Sequence, residues 1–158
     1  MQQRRPVVQT RFRNLLNGKV LERNFAQSDV FEPADVVRSE VKFLYNHRDQ
    51  FWFVDPKNPA NRFELSAEII GDQGKFLKPN TILEALRWND KVINVSLPIK
   101  MQFKVVEAPP AIRGDTATGG NKQVKLDTGA IINVPLFIEE GEEIIINTET
   151  GEYAERAK

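Results

Sequence analysis

The sequence predicts an all-β fold, and three observations support this prediction. Short runs of valine, isoleucine, phenylalanine and threonine alternate with polar residues along the 158-residue chain, a period of two that is typical of half-buried strands. Turn signals such as Asn17-Gly18 and Thr150-Gly151 separate the runs. The runs also group into a short N-terminal block and two longer blocks of five strands each.

The first block is a predicted hairpin, in which Val7–Arg13 pairs with Lys19–Phe25 across the Asn17-Gly18 turn. Its first strand alternates between an apolar face and a polar, basic face that holds Arg11 and Arg13. The polar segment 27–36, which contains a proline, is then interpreted as a linker or domain edge.

The second block has five predicted strands with helical material between the third and the fourth. Ser66 is the expected N-cap of this material and Gly71 interrupts it, so short helical turns are expected. This order of elements is that of an OB-like barrel. The predicted strands are Arg38–Asn46, Gln50–Val54, Arg62–Leu65, Ile82–Trp88 and Lys91–Leu97.

The third block also has five predicted strands, after a proline at position 98. A loop over residues 109–121 separates the first two strands, and a loop of this length in a small domain is either functional or disordered. The predicted strands are Gln102–Glu107, Lys122–Leu126, Ala130–Val134, Glu143–Asn147 and Glu152–Glu155.

Composition excludes several classes of protein. Formal net charge is zero, with 22 basic and 22 acidic residues, which argues against attraction of nucleic acid by the molecule as a whole. Charge is nevertheless segregated, because residues 1–25 are basic and residues 139–155 are acidic. The chain has no cysteine, so it has no disulfide or thiolate site. No apolar run is long enough for a membrane span, and a soluble cytoplasmic protein without a cofactor or a metal is expected.

The segment from Lys122 to Gly141 resembles the signature of the C-terminal domain of translation elongation factor P. The similarity rests on the spacing of Lys122, Gly129, Val134-Pro135 and Gly141, with one departure at Val124, where the signature has alanine. Shorter matches extend the resemblance over essentially the whole chain. They are Asn14-Leu15 with residues 18–23, Leu44-Tyr45-Asn46 with Phe51, Ile70-Gly71-Asp72, Lys75-Phe76-Leu77 and Gly151-Glu152-Tyr153.

The resemblance implies three β-barrel domains, an SH3-like one and two OB-like ones. On this basis we expect a partial SH3-like domain over residues 1–35, a central OB-like domain over 36–100 and a C-terminal OB-like domain over 101–158. It also implies a monomeric translation factor, not an enzyme, that binds the ribosome between the P and E sites. There the family contacts peptidyl-tRNA and rRNA and promotes peptide-bond formation at consecutive prolines.

The N-terminal end departs from the family pattern. The first strands of the family's first domain precede the counterpart of Met1, so a fragment or an internal start is expected. Gln3 falls at the loop tip where the family carries a modified lysine or arginine. A lysine-type modification is therefore not expected, whereas Arg4 or Arg5 would act unmodified or carry a sugar.

Two groups of residues are candidates for RNA contact, because guanidinium groups suit phosphates and glycine permits a close approach of backbones. The first group is expected to contact tRNA or rRNA, and comprises Gln3, Arg4, Arg5, Arg11, Arg13, His47, Arg48 and Asp49. The second group is expected to contact the small ribosomal subunit, and comprises Gly114, Asp115, Thr116, Gly119, Gly120 and Lys122.

Other interpretations of these residues stay open. The arginines could line a solvated strand face, and the glycine-rich loop could be a disordered one. Neither a hydrolytic triad at His47 nor a P-loop at Lys122 is supported. Strand aromatics are more often core than base-stacking, so at least half of Phe51, Trp52, Phe53 and Trp88 are expected in the core. Two alternative functions also remain, a non-stimulatory paralogue of elongation factor P and a general single-strand nucleic-acid-binding OB protein.

Overall fold

The computed structural model describes residues 5–110 and 120–158, and in this part of the chain strands predominate. The all-β prediction is therefore confirmed. The twelve strands of the described residues are β1 (Val7–Arg13), β2 (Val20–Ala26), β3 (Val36–His47), β4 (Gln50–Asp55), β5 (Asn58–Ser66), β6 (Ile82–Trp88), β7 (Lys91–Ser96), β8 (Lys100–Glu107), β9 (Asn121–Leu126), β10 (Ile131–Pro135), β11 (Glu143–Asn147) and β12 (Glu152–Arg156).

The N-terminal hairpin forms as predicted, with β1 and β2 paired antiparallel from Val7 opposite Ala26 to Arg13 opposite Val20. Gly18 at its turn has φ 72° and donates its N–H to the carbonyl of Asn14, the left-handed conformation that glycine adopts without strain. The two strands make a sheet of their own.

Strands β3 to β7 form an antiparallel five-stranded sheet in the order β5-β4-β3-β6-β7. This is the strand order of an OB fold, in which the first strand lies between the second and the fourth. The buried residues Val41 and Phe43 alternate along β3, as the period of two predicts, whereas on β4 the consecutive residues Phe53 and Val54 are both buried. Phe53 is fully buried among them, and its ring centroid lies 5.5 Å from that of Phe43 and 5.3 Å from that of Phe63.

A short helical connection links β5 and β6, as predicted. It begins with the α-helix α1 (Ala67–Ile70), which Ser66 caps by accepting a hydrogen bond from the N–H of Ile69 on its hydroxyl oxygen. Gly71 ends it at φ 65°, and a 3₁₀ helix over Gly71–Phe76 follows. The glycine therefore interrupts the helix because it adopts a conformation that few other residues tolerate.

Strands β8 to β12 form a second five-stranded sheet of the same topology, in the order β10-β9-β8-β11-β12. Here β10 also lies against β12, which closes the sheet into a barrel. Phe103, Leu126, Ile138, Ile144 and Ile146 are fully buried in its interior.

Contacts divide the chain into two compact units. Among the described residues, one unit contains 5–71 together with 82–96, and the other contains 72–81 together with 97–110 and 120–158. The segment 72–81 therefore belongs to the second unit, although in sequence it lies between two strands of the first. Phe76 of this segment is buried, with its ring centroid 5.6 Å from that of Phe103. The predicted domain boundaries at residues 35 and 100 stay a prediction.

Within the described residues, no helix has the length and apolar character that crossing a membrane requires.

Candidate nucleic-acid interface

The basic face of the N-terminal hairpin is open to solvent. Arg5, Arg11 and Arg13 are exposed, and the register places Arg11 opposite Glu22. Among the described residues, none of these three arginines forms an ion pair within 4.0 Å. Unpaired guanidinium groups on an extended strand can reach successive phosphates of an RNA backbone.

The opposite face of the hairpin is apolar and only partly covered. Phe12 and Phe25 are half-buried with ring centroids 6.2 Å apart, and Phe31 packs edge-on against Phe25 at 4.8 Å. Val8 and Leu21 remain exposed on the two strands. The strand orientation predicted from the alternation is therefore correct, and it turns the arginines of β1 away from the aromatic cluster.

Outside the described residues lie six of the predicted contact residues. They are Gln3, Arg4, Gly114, Asp115, Thr116 and Gly119.

The turn between β3 and β4 presents the remaining members of the first predicted group. His47 pairs with Gln50, and the two residues between them, Arg48 and Asp49, both have positive φ, at 47° and 61°. Two such residues make the tight turn that suits the twist of a hairpin, but arginine is strained in this conformation. His47, Arg48 and Asp49 are all exposed. The carbonyl of Asp49 accepts a hydrogen bond of 2.8 Å from the N–H of Ala67, which fixes the turn against the start of α1.

Of the predicted small-subunit group, the structure describes Gly120 and Lys122, which lie at the base of the glycine-rich loop. Lys122 donates from its ammonium to the carbonyl oxygen of Pro109 at 3.0 Å, which joins the two ends of the loop. Gly120 has φ +59°, and its carbonyl accepts a hydrogen bond from the N–H of Leu136. A side chain at Gly120 would place Cβ only 2.9 Å from Cδ1 of Leu136. A side chain at this position would therefore be strained and would displace Leu136, and the predicted role of Gly120 in approaching a partner stays a prediction.

An exposed aromatic pair on the central sheet was not among the predicted contact residues. Tyr45 is 48% exposed, and its ring stacks on that of the half-buried Trp52 with centroids 6.2 Å apart and an interplanar angle of 27°. At least half of the four strand aromatics were expected in the core, but only Phe53 is buried; Phe51 and Trp52 are half-buried and Trp88 is 38% exposed. The period of two along β4 indicates an outward-facing Trp52, because Trp52 is the neighbour of the buried Phe53 and lies on the opposite face of the sheet.

Comparison with known proteins explains this architecture. The model of the elongation factor P OB domain matches residues 36–95, and the model of the elongation factor P C-terminal domain matches residues 101–156. The chain belongs to the elongation factor P family. These two ranges coincide with the two five-stranded sheets, so the family's OB assignment and the observed strand order agree.

Curated relatives agree with the family models. The elongation factor P of Carboxydothermus hydrogenoformans is 42% identical over 151 residues, which is 96% of this chain and 81% of that protein. The elongation factor P of Moorella thermoacetica is 43% identical over 150 residues, which is 95% of this chain and 80% of that protein. The resemblance inferred from the motifs is therefore confirmed, and the protein is a translation elongation factor of this family.

Proposed function

We propose that this protein binds the ribosome between the P and E sites, beside peptidyl-tRNA, and stimulates peptide-bond formation where consecutive prolines stall synthesis. Membership of the elongation factor P family supports the proposal. The observation that carries it is the basic face of the hairpin, on which Arg11 and Arg13 are exposed, together with the exposed Arg5 just before β1; among the described residues none of the three forms an ion pair within 4.0 Å.

The mechanism that we propose is positional. Arginines on one face of a strand bind phosphates of the tRNA, and the turn at Arg48 adds a cation at the end of another hairpin. A protein held in this way limits the motion of the tRNA acceptor end, so that the reacting groups spend more time in a productive orientation. No proton transfer or covalent step by a side chain is needed. Contacts of the loop that begins after Pro109 with the small subunit are part of the same proposal.

Co-sedimentation with ribosomes carrying a P-site tRNA tests the binding step. The double variant Arg11→Gln/Arg13→Gln should bind more weakly, and the slope of log affinity against log salt should fall by about two if each arginine contacts one phosphate. The matched control is Arg38→Gln/Lys100→Gln, which also removes two exposed charges but takes them from ion pairs with Glu84 and Glu155. Equal loss in both variants would contradict a specific role for the hairpin.

A second measurement separates the alternatives. The rate of peptide-bond formation on a message with consecutive proline codons should rise when the protein is added, and the rate on a message without them should not. Binding without stimulation would favour a non-stimulatory paralogue. Equal affinity for ribosomes and for free single-stranded RNA would favour a general nucleic-acid-binding OB protein.

A further inference from the structure

We propose that Tyr45 and Trp52 form a stacking platform for one unpaired RNA base on the outer face of the central sheet. The proposal goes beyond the function proposed above, because it requires unpaired RNA but neither a stalled ribosome nor the N-terminal hairpin. It rests on the exposure of Tyr45 beside the half-buried Trp52, on the register around the pair and on the charges of its neighbours.

The register turns this pair outward. Phe43 lies opposite Phe53 and both are buried, whereas Tyr45 lies opposite Trp52. An irregularity between Phe43 and Tyr45 adds Leu44 to β3, and this extra residue changes the face on which Tyr45 lies. A β-bulge often serves to redirect a side chain in this way.

The geometry of the pair suits a base. Trp52 is half-buried and supports one side of the Tyr45 ring, whose centroid is 6.2 Å away at 27° between planes. Tyr45 is 48% exposed, so a flat apolar surface remains in contact with water. Exposed aromatic rings on OB sheets bind bases by stacking, and this interaction tolerates any base because each has a π-face.

The neighbouring charges suit the phosphates of the same nucleotide. The register places Lys42 and Arg62 opposite Val54, and Glu64 opposite Trp52, all on the outer face. Among the described residues, neither Lys42 nor Arg62 forms an ion pair within 4.0 Å. These two cations can hold the backbone beside the platform, while Glu64, which lies in the same cross-strand row as Tyr45 and Trp52, disfavours phosphate beyond Trp52.

The position in the fold supports an RNA ligand in preference to a peptide. Tyr45 lies on the first strand of the OB topology, Trp52 on the second and Arg62 on the third. OB folds bind oligonucleotides on this face, beside the loop between their first two strands. In this chain that loop is the turn at Arg48-Asp49, so His47 and Arg48 border the same surface.

Titration of the 158-residue protein with a fluorescently labelled hexauridylate tests the proposal by anisotropy, because this RNA has little structure of its own. Tyr45→Ala should weaken binding by about five- to a hundredfold, since loss of one base stack has an effect of that size. Tyr45→Phe keeps the ring and should restore most of the affinity. A duplex RNA with the same number of phosphates should bind more weakly than the hexamer, because its bases are not available for stacking.

Tryptophan emission locates the bound base. The chain has two tryptophans, so Trp88→Phe leaves Trp52 as the reporter, and saturating RNA should change its emission. Circular dichroism checks that Tyr45→Ala still folds. Equal affinity of folded Tyr45→Ala and the parent, equal affinity for duplex and hexamer, or no binding of the hexamer at all would each overturn the proposal.

Discussion

Replacement of Gly120 by alanine tests the cost of a side chain at this position, which lies just before β9 and against Leu136. The residue has φ +59°, and an added Cβ would lie 2.9 Å from Cδ1 and 3.3 Å from Cγ of Leu136. An L-residue in the left-handed region costs about 1–2 kcal/mol. The Leu136 atoms belong to a side chain that can move, so the contact adds about 1 kcal/mol, which is typical of a modest off-rotamer shift. Gly120→Ala should therefore lower the free energy of unfolding by about 2–3 kcal/mol.

Gly129→Ala is the matched control for the conformational part of this cost. Gly129 has φ +87°, but nothing lies within 4 Å of the position of its Cβ. It also follows a strand of the same sheet, so both variants report on one cooperative unit. The expected loss is about 1–2 kcal/mol, without the steric part. Urea unfolding followed by circular dichroism at equal m-values would give both numbers.

A double-mutant cycle isolates the contact itself. Leu136→Ala removes the atoms that a Cβ at Gly120 would meet, so Gly120→Ala should cost about 1 kcal/mol less in that background. Equal losses for Gly120→Ala and Gly129→Ala, or a cycle with no coupling, would refute the steric argument. Unchanged stability of Gly120→Ala would refute the conformational argument as well.

Three further predictions concern packing and order. Phe76→Ala should lower the free energy of unfolding by about 3–5 kcal/mol because it empties a buried site. Phe137→Ala, at a site that is 54% exposed, should lower it clearly less. Thermal and urea unfolding measure both losses. Lys78→Met removes a half-shielded ammonium that is bonded at 2.9 Å to a carboxylate and to a carbonyl, and it should lower the free energy of unfolding by about 1.5–3 kcal/mol. Lys100→Met removes a more exposed ion pair and should lower it by at most about 1 kcal/mol. Equal losses would contradict the role of shielding. Limited trypsin digestion should cut the chain within residues 5–35 earlier than within the two five-stranded sheets, because an isolated two-stranded sheet is marginally stable. Equal resistance of the two parts to trypsin would contradict this prediction.

The sequence alone determined most of the strand pattern. Alternation placed the strands of both five-stranded sheets within a few residues of their observed ends, and Asn17-Gly18 correctly marked the first turn. Ser66 and Gly71 marked the start and the interruption of the helical connection. These features follow from period and turn chemistry, which act over a few residues and are therefore visible in a linear chain.

Only the tertiary structure decided which residues meet across the sheets. The extra residue Leu44 turns Tyr45 outward, and no local pattern reveals it because the irregularity depends on the partner strand. The segment 72–81 packs with the second unit, which contacts distant in sequence determine. Gly120 lies against Leu136 only after β9 and β10 have paired, so the steric cost of a side chain there is decided by the tertiary structure. Burial and cross-strand register depend on the whole fold, whereas strand propensity does not.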